Sequence, residues 1–325
     1  MKNLTLIFLI STLLNPLFAQ KPLGSVERLD PEINYLIKPG EKLEILAEGF
    51  NWSEGPVWAP ELNGVLFTDV PENKMYLWTE NNGLSIYLDP SGYTEIEPNE
   101  KKSGANGLII DPEGNLLIAQ HGDRRIAMIK KPLINPGEFI TIVNRYKGKR
   151  FNSPNDLVRS KDGDLYFTDP PYGLKGDKDP LKEIYENGVY KLDSNGVLTQ
   201  VYAGLNRPNG LAFSPDESVL YVANSDSKRN LWMSFSVVKG ELKNEKVFFD
   251  ATHIKEKGLA DGLKVHSKGY VFATGPGGVL IFTPEGKHLG TIKTEVSSAN
   301  CTFNADESAL YITSDSYLAR IKLKD

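Results

Sequence analysis

The stretch "NGLIIDPEGNLLIAQHGD", Asn106 to Asp123, decides the fold. It contains a short apolar strand, a turn at "DPEG", and a second apolar strand that ends in polar residues. Looser copies of this stretch begin at five other positions: Glu54, Asn155, Asn209, Asp261 and Asn300. A spacing of roughly 40 to 55 residues, with strands rich in Val, Ile, Leu, Phe and Tyr, is typical of β-propeller blades. Six copies therefore predict an all-β, six-bladed β-propeller.

A third strand follows most copies, and the segment that leads to the next copy supplies a fourth. The stretch "KLEILAEGF", residues 42–50, precedes the first copy and has no hairpin partner of its own. Because a propeller must hide its strand edges, we expect this N-terminal strand to close the ring by pairing with the last blade. The alternative, a β-sandwich with a tail, predicts strands every 8 to 12 residues without this longer period.

The N-terminal stretch "MKNLTLIFLISTLLNPLFAQ" has the charge, apolar run and small Ala19 of a secretory signal peptide. A membrane anchor would need about 20 uninterrupted apolar residues, and Asn15 and Pro16 interrupt this run. We therefore predict a signal peptide at 1–19, an N-terminal extension at 20–47 and the propeller at 48–325. The expected location is the periplasm or the medium, with no membrane association after cleavage.

Charge and cysteine content exclude several classes of protein. The formal net charge of −5 over 325 residues makes a nucleic-acid partner unexpected. Cys301 is the single cysteine, so the chain can form neither an internal disulfide nor a thiolate metal cluster. Cys301 also begins an apolar strand, where a packed side chain is the simplest interpretation.

The polar residue that opens each copy is not part of a hairpin turn. Asn-Gly commonly forms such turns, but here the turn of each copy lies further along the chain. The glycine is also dispensable, because Asn155 precedes Asp156 and Asn300 precedes Cys301. A carboxylate or carboxamide is what recurs. Since the first strand of each blade lines the central channel, these six side chains should converge on one mouth of it.

Buried carboxylates gathered in a channel require a positive partner. No Lys or Arg opens a copy, and an all-oxygen set suits a hard cation, Ca²⁺ ahead of Mg²⁺ or Mn²⁺. Zinc fits these ligand types poorly. A structural ion or a water-filled hydrogen-bonded plug remains the alternative at this point.

Several motifs resemble those of the senescence-marker-protein/gluconolactonase family, the regucalcin-like six-bladed propellers. They are "EGPVW", "AQHGDRRI", "SPNDLV", "DLYFTDPPYGL", "RPNGLAFSPDES" and "ADGLKV", in family order and in successive blades. The resemblance covers the chain from about Glu48 to its end. It implies one divalent metal in the channel, commonly calcium, and hydrolysis of sugar lactones or related esters.

Carried over by position, the resemblance implies a specific set of functional residues. The metal ligands would be Glu54, Asn155, Asn209 and Asp261, and Asp261 would also act as a base, a nucleophile or a water-orienting group. Asn106 matches a substrate-contacting Asn, and His121 lies in an "HG" motif at the rim. One departure concerns sugar recognition, since Gly104 stands where animal aldonolactonases have an Arg.

A mechanism follows as a hypothesis. The metal polarises the lactone carbonyl, Asp261 takes a proton from water, and His121 protonates the leaving alkoxide or only forms hydrogen bonds. Asp169 and Tyr172, in "TDPPYG", would shape the substrate rim, with a plain turn as the alternative, and Asn300 would contact substrate. His253, His266 and His288 fall in turns or connections and receive no role.

Three functions are compatible with this pattern. The favoured one is a gluconolactonase-like, metal-dependent hydrolase acting on a small-molecule lactone. A phosphotriesterase or arylesterase would use the same ion. A non-catalytic ligand-binding propeller is the third, because propellers host many functions.

Overall fold

The computed structural model describes residues 24–96 and 99–324. The predicted signal peptide at 1–19 lies outside the described residues. Within them, no helix is long and apolar enough to cross a membrane.

The described residues are almost entirely strands and turns. The strands, in chain order, are β1 Val26–Arg28, β2 Glu44–Glu48, β3 Ser53–Ala59, β4 Gly64–Asp69, β5 Lys74–Thr79, β6 Gly83–Leu88, β7 Ala105–Ile110, β8 Leu116–Gln120, β9 Arg125–Ile129, β10 Ile140–Val143, β11 Arg145–Tyr146, β12 Lys149–Arg150, β13 Leu157–Arg159, β14 Leu165–Asp169, β15 Gly188–Leu192, β16 Leu198–Tyr202, β17 Pro208–Phe213, β18 Val219–Asp226, β19 Arg229–Val238, β20 Glu241–Asp250, β21 Leu263–Val265, β22 Val271–Gly275, β23 Gly278–Phe282, β24 His288–Lys293, β25 Ser298–Phe303, β26 Ala309–Ser314 and β27 Tyr317–Lys322. Two short 3-10 helices span Pro31–Tyr35 and Pro60–Leu62.

These strands form six antiparallel sheets that are the blades of a propeller. Blades one to four are β3–β6, β7–β10, β13–β16 and β17–β20. Blade five contains β21–β24, and blade six contains β25–β27. A separate hairpin, β11 with β12, lies between blades two and three. The predicted six-bladed β-propeller is confirmed.

The N-terminal segment completes the last two blades. Strand β2 pairs antiparallel with β27, with Glu44 opposite Arg320, so blade six is built from both ends of the chain. This is the predicted ring closure. Strand β1 pairs with β24, with Val26 opposite Ile292, and adds a fifth strand to blade five. The helix that follows β1 buries Ile33 against the apolar layer between blades five and six.

The apolar core lies in layers between neighbouring blades. Between blades four and five, for example, the Trp232 ring packs 5.7 Å from the ring of Phe282, and both side chains are fully buried. Burying a large side chain contributes about 1.5–3 kcal/mol, so the stacked blades stabilise one another. Successive side chains point to opposite faces of a strand, so a continuously apolar strand such as β23 supplies two layers, with Val279 and Ile281 in one and Leu280 and Phe282 in the other.

The innermost strand of each blade lines the central channel. In blades one, two, four and six the pairing between the first and second strands shifts register just after the strand begins. Such a β-bulge places two residues opposite one and re-aims their side chains. The bulges therefore turn the opening residues of the blades toward the channel.

Removing the closing strand should destabilise the propeller. A chain that begins at Gly49 lacks β2 and leaves the edge of β27 unpaired, whereas a chain that begins at Lys42 keeps β2 but loses β1 and the 3-10 helix after it. We expect the Gly49 chain to melt at least about 5 °C below the Lys42 chain, because of the lost ladder and the exposed edge. Differential scanning calorimetry on both, with a chain beginning at Gly24 as the reference, measures this. Equal melting temperatures for the two shorter chains would contradict the role assigned to β2.

Candidate active site at the channel mouth

One mouth of the channel opens into a cavity of about 640 Å³. It brings together five of the six predicted opening residues: Glu54, Asn106, Asn155, Asn209 and Asp261. The first four are buried, and Asp261 is partly exposed. The other lining residues include His121 and Tyr172, both predicted from sequence.

Hydrogen bonds between blades identify the opening residue of each blade. The N–H of Gly107 donates to the carbonyl of Asn155 at 2.8 Å. The hydroxyl of Thr168 donates to the carbonyl of Asn209 at 2.8 Å. Both bonds end on the residue that opens the following blade, and the Thr68 hydroxyl donates to the carbonyl of Asn106 in the same way, so such bonds mark the opening position.

In blade six these bonds end on Ala299, which corrects the sequence alignment by one residue. The carbonyl of Ala299 accepts the N–H of Gly262 at 2.7 Å and the hydroxyl of Thr274 at 2.8 Å. Ala299 therefore opens blade six, and Asn300 lies one residue deeper. Asn300 does not line the cavity, contrary to its predicted contact with substrate. We call Glu54, Asn106, Asn155, Asn209, Asp261 and Ala299 the hub ring.

A second layer of residues lies directly beneath the hub ring. Asn300 and Asp156, from opposite blades, are both buried, and the Asn300 amide donates to the Asp156 carboxylate at 3.3 Å. This bond crosses the channel. The equivalent position in each of the other four blades is a glycine: Gly55, Gly107, Gly210 and Gly262.

Lack of space explains these glycines. A Cβ at Gly55 would lie 1.8 Å from the Asn106 carbonyl oxygen, and Gly55 also has φ +48°. A Cβ at Gly262 would lie 2.0 Å from the side chain of Asn300. The repeated Asn-Gly and Asp-Gly pairs are therefore close approaches of strands at the hub, not hairpin turns.

Hydrogen bonds hold two carboxamides of the hub ring by their nitrogens. The Asn209 amide nitrogen donates to the hydroxyl of Ser225 at 2.9 Å, and that of Asn155 lies 3.4 Å from Nε2 of His121. Among the described residues, Oδ1 of Asn155, of Asn106 and of Asp261 is buried without a hydrogen-bond partner. Such atoms are rare in folded proteins, so a water molecule or a ligand is expected to contact these oxygens.

The two hub carboxylates are electrostatically unfavourable in isolation. Burial raises the pKa of Glu54 to about 7; the Gly55 N–H, 2.9 Å from its carboxylate, opposes the rise, and the charge of Asp156 adds to it. Burial, and then the charges of Glu54 and Asp156, raise the pKa of Asp261 well above its usual range. Burial also raises the pKa of Asp156. Burial thus favours the protonated form of all three carboxyl groups, and a bound cation would favour the ionised form.

His121 is neutral in this environment. Burial, followed by the charge of Lys101, lowers the pKa of His121 to about 3. A neutral imidazole holds its proton too tightly to act as a general acid near neutral pH. The position of His121 beside Asn155 supports the other role considered for it, that of a hydrogen-bonding group.

Tyr172 faces the carboxylate side of the cavity. Burial raises the pKa of Tyr172, and the charge of Asp261 raises it further, so the phenol keeps its proton. The cavity wall also contains Ser225, next to Asn209. Tyr172 thus offers a neutral O–H donor to a bound ligand.

Asp169 lies beneath a loop and does not line the cavity wall predicted for it. It is fully buried, and its carboxylate accepts the N–H groups of Asn152 and Ser153, each at 2.8 Å. Burial, opposed by these two bonds, raises its pKa to about 7. Asp169 therefore fixes the loop that presents Asn155. Asp69 accepts an equivalent pair of N–H groups in blade one.

Sequence reasoning missed one cation in the cavity. A side chain at Gly104 has no room, because its Cβ would lie 2.7 Å from the Cα of Asn73. Lys101, in the same loop between blades one and two, lines the cavity instead, and its ammonium group donates to the carbonyl of Tyr172. Burial lowers the pKa of Lys101. No signal in the repeats marks Lys101, since it lies outside them.

The fold and the oxygen-lined hub define a class, the six-bladed propellers with a polar site at one channel mouth. Residues 52–316 match the SMP-30/Gluconolactonase/LRE-like region. The chain belongs to this family, which confirms the resemblance found in the sequence.

Individual proteins similar to this chain are also named as lactonases. The chain is 39% identical to a gluconolactonase of Zymomonas mobilis over 93% of this chain and 87% of the relative. It is 22% identical to a pentonolactonase of Haloferax volcanii over 80% of each chain. Its structure matches that of a gluconolactonase of Xanthomonas campestris with a TM-score of 0.81, 29% identity, and coverage of 94% of this chain and 97% of the other.

The protonation state of His121 is directly measurable. We expect the His121 ring signals in NMR spectra to stay at their neutral positions from about pH 5 to pH 8, because burial and Lys101 disfavour the charged form. A His121→Asn variant assigns the signal among the four histidines. A midpoint near the ordinary value of about 6.5 would contradict this description of the site.

Proposed function

We propose that this chain is a lactonase that opens sugar lactones, with a divalent cation bound by the hub ring. The lactonase class rests on the family match and on the 39% identity to a gluconolactonase over most of both chains. The sugar-lactone substrate rests on relatives named for gluconolactone and pentonolactone.

The chemistry of the donor atoms fits a cation. Glu54 and Asp261 supply carboxylate oxygens, and Asn155 and Asn209 supply carboxamide oxygens whose nitrogens are bonded to other groups. The unpartnered oxygens of Asn155 and Asp261 are the single structural observation that supports the bound cation. No group of three or more His, Cys, Asp and Glu side chains able to hold a metal was found in residues 24–96 and 99–324, so the carboxamides are essential to this site.

Calcium is the cation proposed first. Carboxylate and amide oxygens without nitrogen or sulfur donors suit a hard ion, and Ca²⁺ accepts irregular oxygen sets more readily than Mg²⁺. A bound cation would polarise the lactone carbonyl and stabilise the negative charge that develops on its oxygen.

The residues of the chain perform the proton transfers. Ionised Asp261 accepts a proton from the water that attacks the carbonyl carbon, and the new C–O bond forms as that O–H bond breaks. The ring C–O bond then breaks, and protonated Asp261 returns the proton to the departing alkoxide. His121 is not required as an acid, because its pKa of about 3 keeps it neutral.

The cavity wall positions the substrate. Asn106 presents an unpartnered oxygen to sugar hydroxyls, and Tyr172 presents a phenol O–H. Lys101 adds a positive charge, which favours the carboxylate that forms when the lactone opens. Export through a signal peptide at 1–19 remains part of the proposal and would put the site outside the cytoplasm.

Loss of a hub carboxylate should abolish both cation binding and catalysis. We expect Asp261→Asn and Glu54→Gln to lower kcat/KM for δ-gluconolactone by at least about a hundredfold, because each removes an anionic ligand and the first also removes the base. Isothermal titration with CaCl2 should detect no binding in either variant.

Asp306→Asn is the matched control, since Asp306 lies in an exposed turn of blade six. It should retain wild-type values in both measurements. Full activity of Glu54→Gln after chelation would contradict the metal-dependent mechanism. Faster turnover of an aryl phosphotriester than of the lactone would favour the alternative substrate class.

Stabilisation by the cation should increase with pH. Raised carboxyl pKa values stabilise the metal-free fold below about pH 4.5, and this contribution is lost as pH rises through about 7 for Glu54. A cation that binds the ionised form offsets that loss. We therefore expect CaCl2 to raise Tm more at pH 8 than at pH 6, with apparent affinity gaining up to roughly tenfold per pH unit for each proton released.

Thermal melts at both pH values, with and without CaCl2, measure the effect. Glu54→Gln, which lacks one titrating ligand, is the comparison and should show little shift with calcium at either pH. An equal Tm increase at pH 6 and pH 8 in the unmodified chain would contradict proton release.

A further inference from the structure

A second cavity adjoins the hub cavity. Its volume is about 680 Å³, and it shares two lining residues, Ser225 and Leu259, with the hub cavity. Its other walls come from loops of blades three and four on the same face, at 177–187, 203–207 and 226–228. Pockets of about 300–1,000 Å³ hold a drug-sized ligand. Each of the two cavities has a volume in this range, so together they offer more space than one monosaccharide lactone fills.

We propose that this cavity binds a second sugar ring, so that the enzyme accepts aldonolactones that carry a glycosyl substituent. The inference rests on the proposed lactonase function, because the lactone ring must occupy the hub cavity. We call the second cavity the glycosyl groove.

The polar walls of the groove fit a neutral polyhydroxylated ligand. The Arg207 guanidinium donates to the Asp177 carboxylate at 2.6 Å, and the Asn206 amide donates to the Asp226 carboxylate at 2.7 Å. The Asn187 amide donates to the other oxygen of Asp177 at 3.1 Å. Donors and acceptors are thus fixed in place, and neighbouring charges largely compensate one another. Such a wall offers hydrogen bonds to hydroxyl groups without selecting a charged ligand.

An aromatic side chain provides the apolar surface of the groove. Tyr185 lines it with 90% of the residue exposed, which is unusual for a tyrosine. Its loop is held, because the Lys182 ammonium donates to the carbonyls of Ile184 and Tyr185, each at 2.6 Å. These bonds fix the backbone of the loop, and the exposed ring offers an apolar face to the C–H face of a sugar ring, so Tyr185 is the main expected contact.

Ser225 connects the groove to the catalytic centre. Its hydroxyl accepts the amide of Asn209, a hub-ring residue, and donates to the carbonyl of Ala260. Ser225 and Leu259 thus line both cavities. A lactone ring near Asn209 would extend its substituent past Ser225 into the groove.

Substrate comparison tests the groove. The probes are δ-gluconolactone and the lactone of cellobionic acid, assayed with unmodified chain, Tyr185→Ala and Tyr35→Ala. Tyr35 is the matched control, because it is 71% exposed but lies in the N-terminal 3-10 helix away from both cavities. We expect Tyr185→Ala to lower kcat/KM for the disaccharide lactone about five- to tenfold, through KM, with gluconolactone and the control unchanged.

A binding measurement separates this inference from the proposed function. Isothermal titration with cellobionate and with gluconate requires no turnover. Tighter binding of cellobionate, lost in Tyr185→Ala and retained in Tyr35→Ala, supports the groove even if neither lactone is hydrolysed, a result that would overturn only the lactonase proposal. Equal affinities for the two acids, or equal losses for both lactones in Tyr185→Ala, would overturn the glycosyl groove.

Discussion

The close approach of six strands at the propeller hub is the constraint on which the site depends. At the layer beneath the hub ring, added Cβ atoms would lie 1.8 Å and 2.0 Å from neighbouring atoms at Gly55 and Gly262, distances that real side chains do not tolerate. Glycine at four of six blades leaves space for two side chains, Asp156 and Asn300. The residues that open the strands, one level above, have room for side chains that point to the axis. The room available for a side chain therefore determines which positions at the hub carry functional groups.

The carboxylates at the hub lie among buried polar groups that are fixed by hydrogen bonds. The charge of Glu54 raises the pKa of Asp261, and hydrogen bonds of the wall hold the amide nitrogens of Asn155 and Asn209. Leaving such oxygens unpartnered costs stability, and natural proteins retain such costs mainly where a function requires them. Loop-holding carboxylates such as Asp169 keep the arrangement rigid from behind.

The fold could be predicted from the sequence because each blade repeats a two-strand unit with a turn inside it. Most of the hub ring followed from the same repeats. The sequence pattern places Asn300 one residue too early in the repeat. The register shift between Ser298 and Asn300, which sets the opening position, is visible only in the structure. Asp169 ends the second strand of its blade. A residue at that position can either line the cavity or hold a loop, and the sequence pattern is the same in both cases. Lys101 lies on a loop outside the repeats, so only the folded chain brings it to the cavity.

The hydrogen bond between Asn300 and Asp156 also bears on how small molecules enter and leave the channel. Both side chains are buried, and the hydrogen bond between them joins opposite blades just below the hub ring. A compound that reaches the carboxylates from the cavity has no exit through the opposite face at that level. Substrate and product therefore use the same opening of the cavity, so the ring-opened acid has to leave before the next lactone can bind.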